Sequence, residues 1–265
     1  MQQEPEIPRV GDVVTPPLAA GLTEAQRVIA RLQERGLILR LLGGVAIRLR
    51  CPSSGHRALD RRYADLDFVA HKKQAKAIRD VLAENGYTPD RRFNALHGEK
   101  RLLFFDETHE RQVDIFLSVF EMCHKLPLDE RLELHPLTLS PADLLLTKLQ
   151  IVQLNTKDIQ DTLALLLDFH PVETSQRPGD ELDVSIIAQL CAQDWGWFTT
   201  VNDNLDRITK EAVALLEPVE AEQVARRSEM IKQSLASAPK SAGWRLRAMA
   251  GRRIVWYELP EEVRR

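Results

Sequence analysis

The stretch Ala64-Asp65-Leu66-Asp67-Phe68-Val69-Ala70 decides how the chain is read. Its alternation has the period of a half-buried strand, with Leu66, Phe68 and Ala70 on one face and Asp65 and Asp67 on the other. Carboxylates at i and i+2 stand about 7 Å apart at their Cα atoms, so their oxygens can converge on a hard cation that takes oxygen ligands. The apolar face would anchor the strand in a core and hold the carboxylates on a rigid element. An Asp-x-Asp pair by itself is more often the end of a solvated strand, so the flanking sequence has to separate the two readings.

Upstream, residues 37–42 form a short apolar run of strand length with Arg40 inside it, ending at Gly43-Gly44, and residues 45–49 have helical character. Before that run, Thr23 and Gln26 have capping-box spacing, and Ala25, Val28, Ile29 and Leu32 give a helical stripe stopped by Gly36. A glycine pair between strand and helix lets backbone amides and the positive helix end approach phosphate oxygens, or is an ordinary tight turn. Residues 51–63 are a loop by composition. In it Arg57, Arg61 and Arg62 either meet phosphate or form a solvated basic loop.

Downstream, residues 73–85 predict an amphipathic helix ended by Gly86, and residues 101–105 and 112–117 predict two strands joined as a hairpin through 106–111. Asp114 stands inside the second of these, among Val113, Ile115 and Leu117. Burying such a charge unpaired costs several kcal/mol, roughly, so it needs a metal or an ion-pair partner such as Arg101 on the neighbouring strand. Beyond Ser140 the period is helical. Ser140 caps and Pro141 opens a helix carrying Lys148, a second helix runs over 156–169, and helical patterns recur over 184–192, 203–216 and 221–235. The division this implies is an irregular lead-in over 1–21, a mixed-sheet domain over 22–170 and a helical region over 171–265. Residues 244–256 interleave Arg245, Arg247, Arg252 and Arg253 with Trp244 and Trp256. That pattern suits either contact with an RNA end or a terminal helix docked on the body.

Composition excludes several classes. The 265 residues are 44% hydrophobic and 28% charged with a net charge of −3, against indiscriminate nucleic-acid binding, and no DNA partner is expected. Cys51, Cys123 and Cys191 are an odd, widely spaced set that predicts reduced thiols in a cytoplasmic protein. The seven histidines are scattered, which argues against zinc, and no apolar run approaches the ~20 residues of a membrane span.

Taken in order, Leu41-Leu42-Gly43-Gly44-Val45-Ala46-Ile47-Arg48, then Asp65-Leu66-Asp67-Phe68, then Gln112-Val113-Asp114-Ile115-Phe116 resemble the DNA polymerase β-like nucleotidyltransferase superfamily. With residues 143–149 and 157–163, the likeness is to its AbiEii-like branch of abortive-infection and toxin–antitoxin toxins, over about residues 22–170. The resemblance implies an α+β fold, a polymerase β-like mixed sheet flanked by helices and followed by a helical C-terminal region. It implies that Asp65, Asp67 and Asp114 hold magnesium, or manganese in its place, and that Gly43 and Gly44 cradle the β- and γ-phosphates of an NTP. Lys148 would neutralise triphosphate charge, with Asp158 and Asp161 at the rear of the nucleotide pocket. The residues alone also allow Lys148 as a snorkelling helix lysine and the two aspartates as acids at a helix start. The reaction implied is NMP transfer to a hydroxyl, on tRNA or another RNA with a cognate antitoxin as partner, or on a small antibiotic-type molecule. A silent nucleotide-binding module is the alternative. Ala64 and Lys157 stand where the branch often has Ser and Arg, which bears on substrate identity.

Overall fold

A computed structural model describes residues 16–259; most of the expected lead-in lies outside the described residues. Its sheet is built from β1 (Leu39–Leu42), β2 (Leu66–Ala70), β3 (Thr88–Pro89), β4 (Arg101–Asp106) and β5 (Arg111–Leu117), in the spatial order β1-β2-β5-β4-β3. β1 runs antiparallel to β2, β2 parallel to β5, and β5 antiparallel to β4. The sheet is therefore mixed, with the hairpin placed where alternation and the polar turn predict it. Arg40 is buried inside β1 and donates to the carbonyls of Leu132 and Leu39 at 2.7 and 2.9 Å, so that the strand tolerates it.

Helices α1 (Gly21–Gln33), α2 (Gly43–Arg50), α3 (Ala75–Glu84) and α4 (Arg91–His97) accompany the sheet. Ala25, Val28, Ile29 and Leu32 are the buried stripe of α1, as their spacing requires. The helix starts at Gly21 and not at a Thr23 cap, because the buried Glu24 carboxylate accepts the Leu18 amide at 2.9 Å and draws the chain back over the first turn. Two features lacked a sequence signal. The short β3–α4 segment has too few apolar residues for a period to show, and a hairpin of β6 (Val119–Glu121) and β7 (Lys125–Pro127) follows β5 after Ser118, which adopts φ +65°.

Six further helices follow: α5 (Pro141–Leu149), α6 (Thr156–Asp168), α7 (Val184–Gln193), α8 (Trp195–Leu215), α9 (Pro218–Ser237) and α10 (Ala242–Ala250). Ser140 caps α5 by accepting the Asp143 amide at 3.1 Å. Asp194 caps α8 through the Trp197 amide, which starts that helix well before residue 203; the aromatic run ahead of that point hides the period. One hydrophobic core runs from Ala25 through the sheet to Leu235. α9 reaches back to the end of α6, where Arg227 Nη1 donates to the carbonyls of Leu166 and Leu167, each at 2.7 Å, satisfying orphan acceptors of the last turn. The three cysteines are free and buried, and among the described residues no helix is long and apolar enough to cross a membrane.

Candidate active site

The parallel pairing of β2 with β5 sets Asp67 opposite Asp114, while Asp67 also pairs with Leu42 at the end of β1. The chain turns there into α2 through Gly43, whose φ is +68°. A Cβ on Gly43 would lie 2.2 Å from Asp67 Oδ2, so glycine is required both for the turn and for the approach of the carboxylate. A Cβ on Gly44 would lie 2.2 Å from Arg61 Nη2 and 2.7 Å from the Tyr63 ring. The glycine pair thus admits a carboxylate and a guanidinium to the start of α2.

The three predicted carboxylates differ in their surroundings. Asp114 is 2% exposed; Arg101 Nε and Nη2 each reach its Oδ1 at 2.7 Å, and Gln112 donates to Oδ2 at 2.6 Å. The ion-pair reading of this residue therefore holds. Burial still raises its carboxyl above the ordinary range, against the opposing Arg101 charge. Asp67 is pushed up to about 7, first by burial and then by the charge of Asp114, with Asp65 adding to the rise and Lys148 and Arg101 opposing it. Asp65 lies one residue ahead of β2 and is exposed, so it is not held by the sheet in the way alternation suggested. Its charge acts on both Asp67 and Asp114.

Among the described residues no group of three or more His, Cys, Asp or Glu is gathered to hold a metal ion. The donor set nonetheless suits a divalent cation. Two register-paired carboxylates and a third whose charge acts on both supply hard oxygen donors, and Gly43 leaves the space that the Asp67 carboxylate fills.

Lys148, Asp158 and Asp161 come together in one network. Lys148 Nζ stands 3.1 Å from Asp158 Oδ1 and 2.9 Å from Asp161 Oδ2, and its charge is felt at Asp67. Burial would lower the lysine, but Asp161 and Asp158 outweigh it and hold it above its ordinary value. Asp158 also belongs to the capping box of α6 with Asn155, which makes it the helix-start acid that the residues alone allow.

The fourth member is Arg61, one of the three loop arginines for which the sequence allowed either phosphate contact or solvation; its partner was not foreseen. Arg61 grips Asp161 with Nε at 3.0 Å and Nη2 at 2.7 Å, a bidentate pair, and its guanidinium lies 4.2 Å from the centre of the Tyr63 ring. Arg57 and Arg62, its loop neighbours, are exposed. The two ends of the Arg61–Asp161 pair are 100 positions apart in sequence, and no local pattern marks such a contact. The loop is laid along α6: Ser53 donates to Asp168 through its amide and hydroxyl, and Gln160 donates to the Ala58 carbonyl.

Two tryptophans of the C-terminal segment pack, half-buried, on α8. Trp244 packs edge-on against Phe198 at 5.3 Å, and Trp256 against Trp195 at 5.8 Å.

The family described as uncharacterised nucleotidyltransferase matches residues 19–199, a span that includes every residue of this site. Among solved structures, a candidate nucleotidyltransferase from H. pylori aligns over 84% of this chain and 98% of its own, at 15% identity and a TM-score of 0.37. No curated protein sequence matches.

Proposed function

The chain belongs to the uncharacterised nucleotidyltransferase family, and from that premise we propose that it transfers NMP from an NTP to a hydroxyl acceptor, with a divalent cation held by Asp65, Asp67 and Asp114. The observation that carries this reading is the pairing of Asp67 with Asp114 beside Gly43, which concentrates negative charge at the start of a helix. In the reaction the acceptor oxygen bonds to the α-phosphorus, the bond from that phosphorus to the β-bridging oxygen breaks, and pyrophosphate departs. The hydroxyl proton is lost to solvent. Magnesium, when bound, would supply charge neutralisation and activation of the attacking oxygen.

The chain's own residues orient the donor. Gly43 and Gly44 open the start of α2 to phosphate, and Lys148 contributes a positive charge near Asp67. Asp161 and Asp158 hold that lysine in place. The finer reading, a tRNA acceptor and a toxin restrained by an antitoxin, is supported by the AbiEii-like order of motifs. The test is transfer of label from each of the four α-labelled NTPs to total RNA, lysate protein and a small-molecule panel, with and without magnesium. Product formed equally by Asp67→Asn would sink the assignment.

A second reading is a nucleotide-binding module without turnover. Both carboxylate oxygens of Asp114 are already held by Arg101 and Gln112, which favours it. Magnesium-dependent NTP binding with no product on any acceptor would establish that reading.

A further inference from the structure

We propose that Arg61 is a triphosphate-binding residue and that Asp161 is its positioning residue. Asp161 would therefore serve as the anchor of a two-cation clamp and not as a contact of the nucleotide. The inference rests on the nucleotidyl-transfer reading and singles out Arg61 among the three loop arginines for which the sequence left phosphate contact or solvation open.

Three observations carry it. First, Arg61 Nη2 occupies the space beside Gly44 where any side chain would clash, so its guanidinium touches the opening turn of α2. A phosphate approaching that turn meets Arg61 as well as backbone amides. Second, Asp161 is 2% exposed and bonds two cations at once, Arg61 at 2.7 Å and Lys148 at 2.9 Å. Lys148 also has Asp158, so the network sets two carboxylates against two cations. Third, Arg61 is fixed in orientation: its fork is set by both oxygens of Asp161, its plane by Tyr63 at 4.2 Å, and its loop by Asp168 and Gln160. A side chain held in this way loses little conformational entropy when it binds a further anion, which is where a fork-shaped cation recognises phosphate best.

The alternative is that Arg61 only clips the loop to α6. The two roles differ in what they discriminate. A clip affects every ligand of the pocket alike, whereas a phosphate contact distinguishes triphosphate from monophosphate.

The experiment measures equilibrium binding of a non-hydrolysable ATP analogue and of AMP to the full chain, for the wild type, Arg61→Gln, Arg61→Lys and Asp161→Asn, with melting temperature recorded for each. The expected result is a loss of ten-fold or more in analogue affinity for Arg61→Gln, with AMP affinity held within about two-fold. Arg61→Lys should recover part of the loss, and Asp161→Asn should reproduce the selective loss in a folded protein. Equal loss for both nucleotides, or no loss, overturns the proposal while leaving the transfer reading intact. Absence of analogue binding by the wild type overturns both. If Arg61→Gln melts early, Arg61→Lys decides: full analogue affinity in that variant removes the fork from recognition.

Discussion

Arg101 and Asp114 meet diagonally across β4 and β5, with two nitrogens of the guanidinium on a single carboxylate oxygen, each at 2.7 Å. The arginine is 23% exposed and the aspartate 2%, so the cation can be withdrawn to solvent while the anion cannot. Arg101→Met should therefore destabilise the metal-free protein by about 3 kcal/mol at pH 8, because it leaves a buried carboxylate without its ion pair. Adding Asp114→Asn to that variant should restore most of the loss. Urea titrations of the two single variants and the double variant measure the coupling.

Asp67 carries a stability cost that can be read through pH. Its carboxyl titrates near 7 in the folded chain, against an ordinary value of 3.8. Between these values the folded state holds a proton that the unfolded state has released, so this group's contribution to stability falls as pH rises from about 4 to 7. Asp67→Asn should make the metal-free protein more stable than wild type at pH 8 and abolish transfer. Thermal melts in chelator across pH 5 to 8, beside the transfer assay, check both halves.

Gly43→Ala should be severely harmful for two separable reasons. A left-handed φ costs an L-residue about 1–2 kcal/mol, and the new methyl would meet Asp67 Oδ2 at 2.2 Å. In an Asp67→Gly background only the first cost should persist. Denaturation midpoints of the single and combined variants separate strain from collision.

His124 gives the protein an acid limb. Its ring is buried, bonded to Thr200 through Nε2 at 2.8 Å, and pushed down to about 4 by burial, with Asp194 pulling the other way. The unfolded chain takes up that proton near 6.5, so the stabilisation is complete above 6.5 and is lost as pH falls toward 4. The loss should be on the order of 2 kcal/mol between pH 7 and pH 4.5, and His124→Asn should flatten it. Urea midpoints at the two pH values provide the measurement.

What the sequence disclosed follows the range of the forces involved. Alternation marked the core strand of Asp67 and the hairpin ahead of Asp114, and a serine–proline pair marked the start of α5, because these signals lie within a few residues of each other. Asp114 was readable as a charge in need of a metal or of a partner such as Arg101, though not as one also held by Gln112. The Arg61–Asp161 pair gave no sign, since a loop and a helix far apart in sequence meet only after the chain has folded. Asp65 was misplaced by a single residue: the strand's hydrogen bonding begins at Leu66, and alternation cannot show where pairing stops.

Arg227 gives the C-terminal helices a mechanical role. α6 is gripped near its start by Arg61 and Lys148 and at its far end by a guanidinium from α9, and a beam pinned at both supports resists tilting. One of the two anchorages of α6 therefore lies on α9, beyond the span that the family match covers. Substitutions on α9 thus bear on how α6 is held without altering Arg61, Lys148 or Asp161.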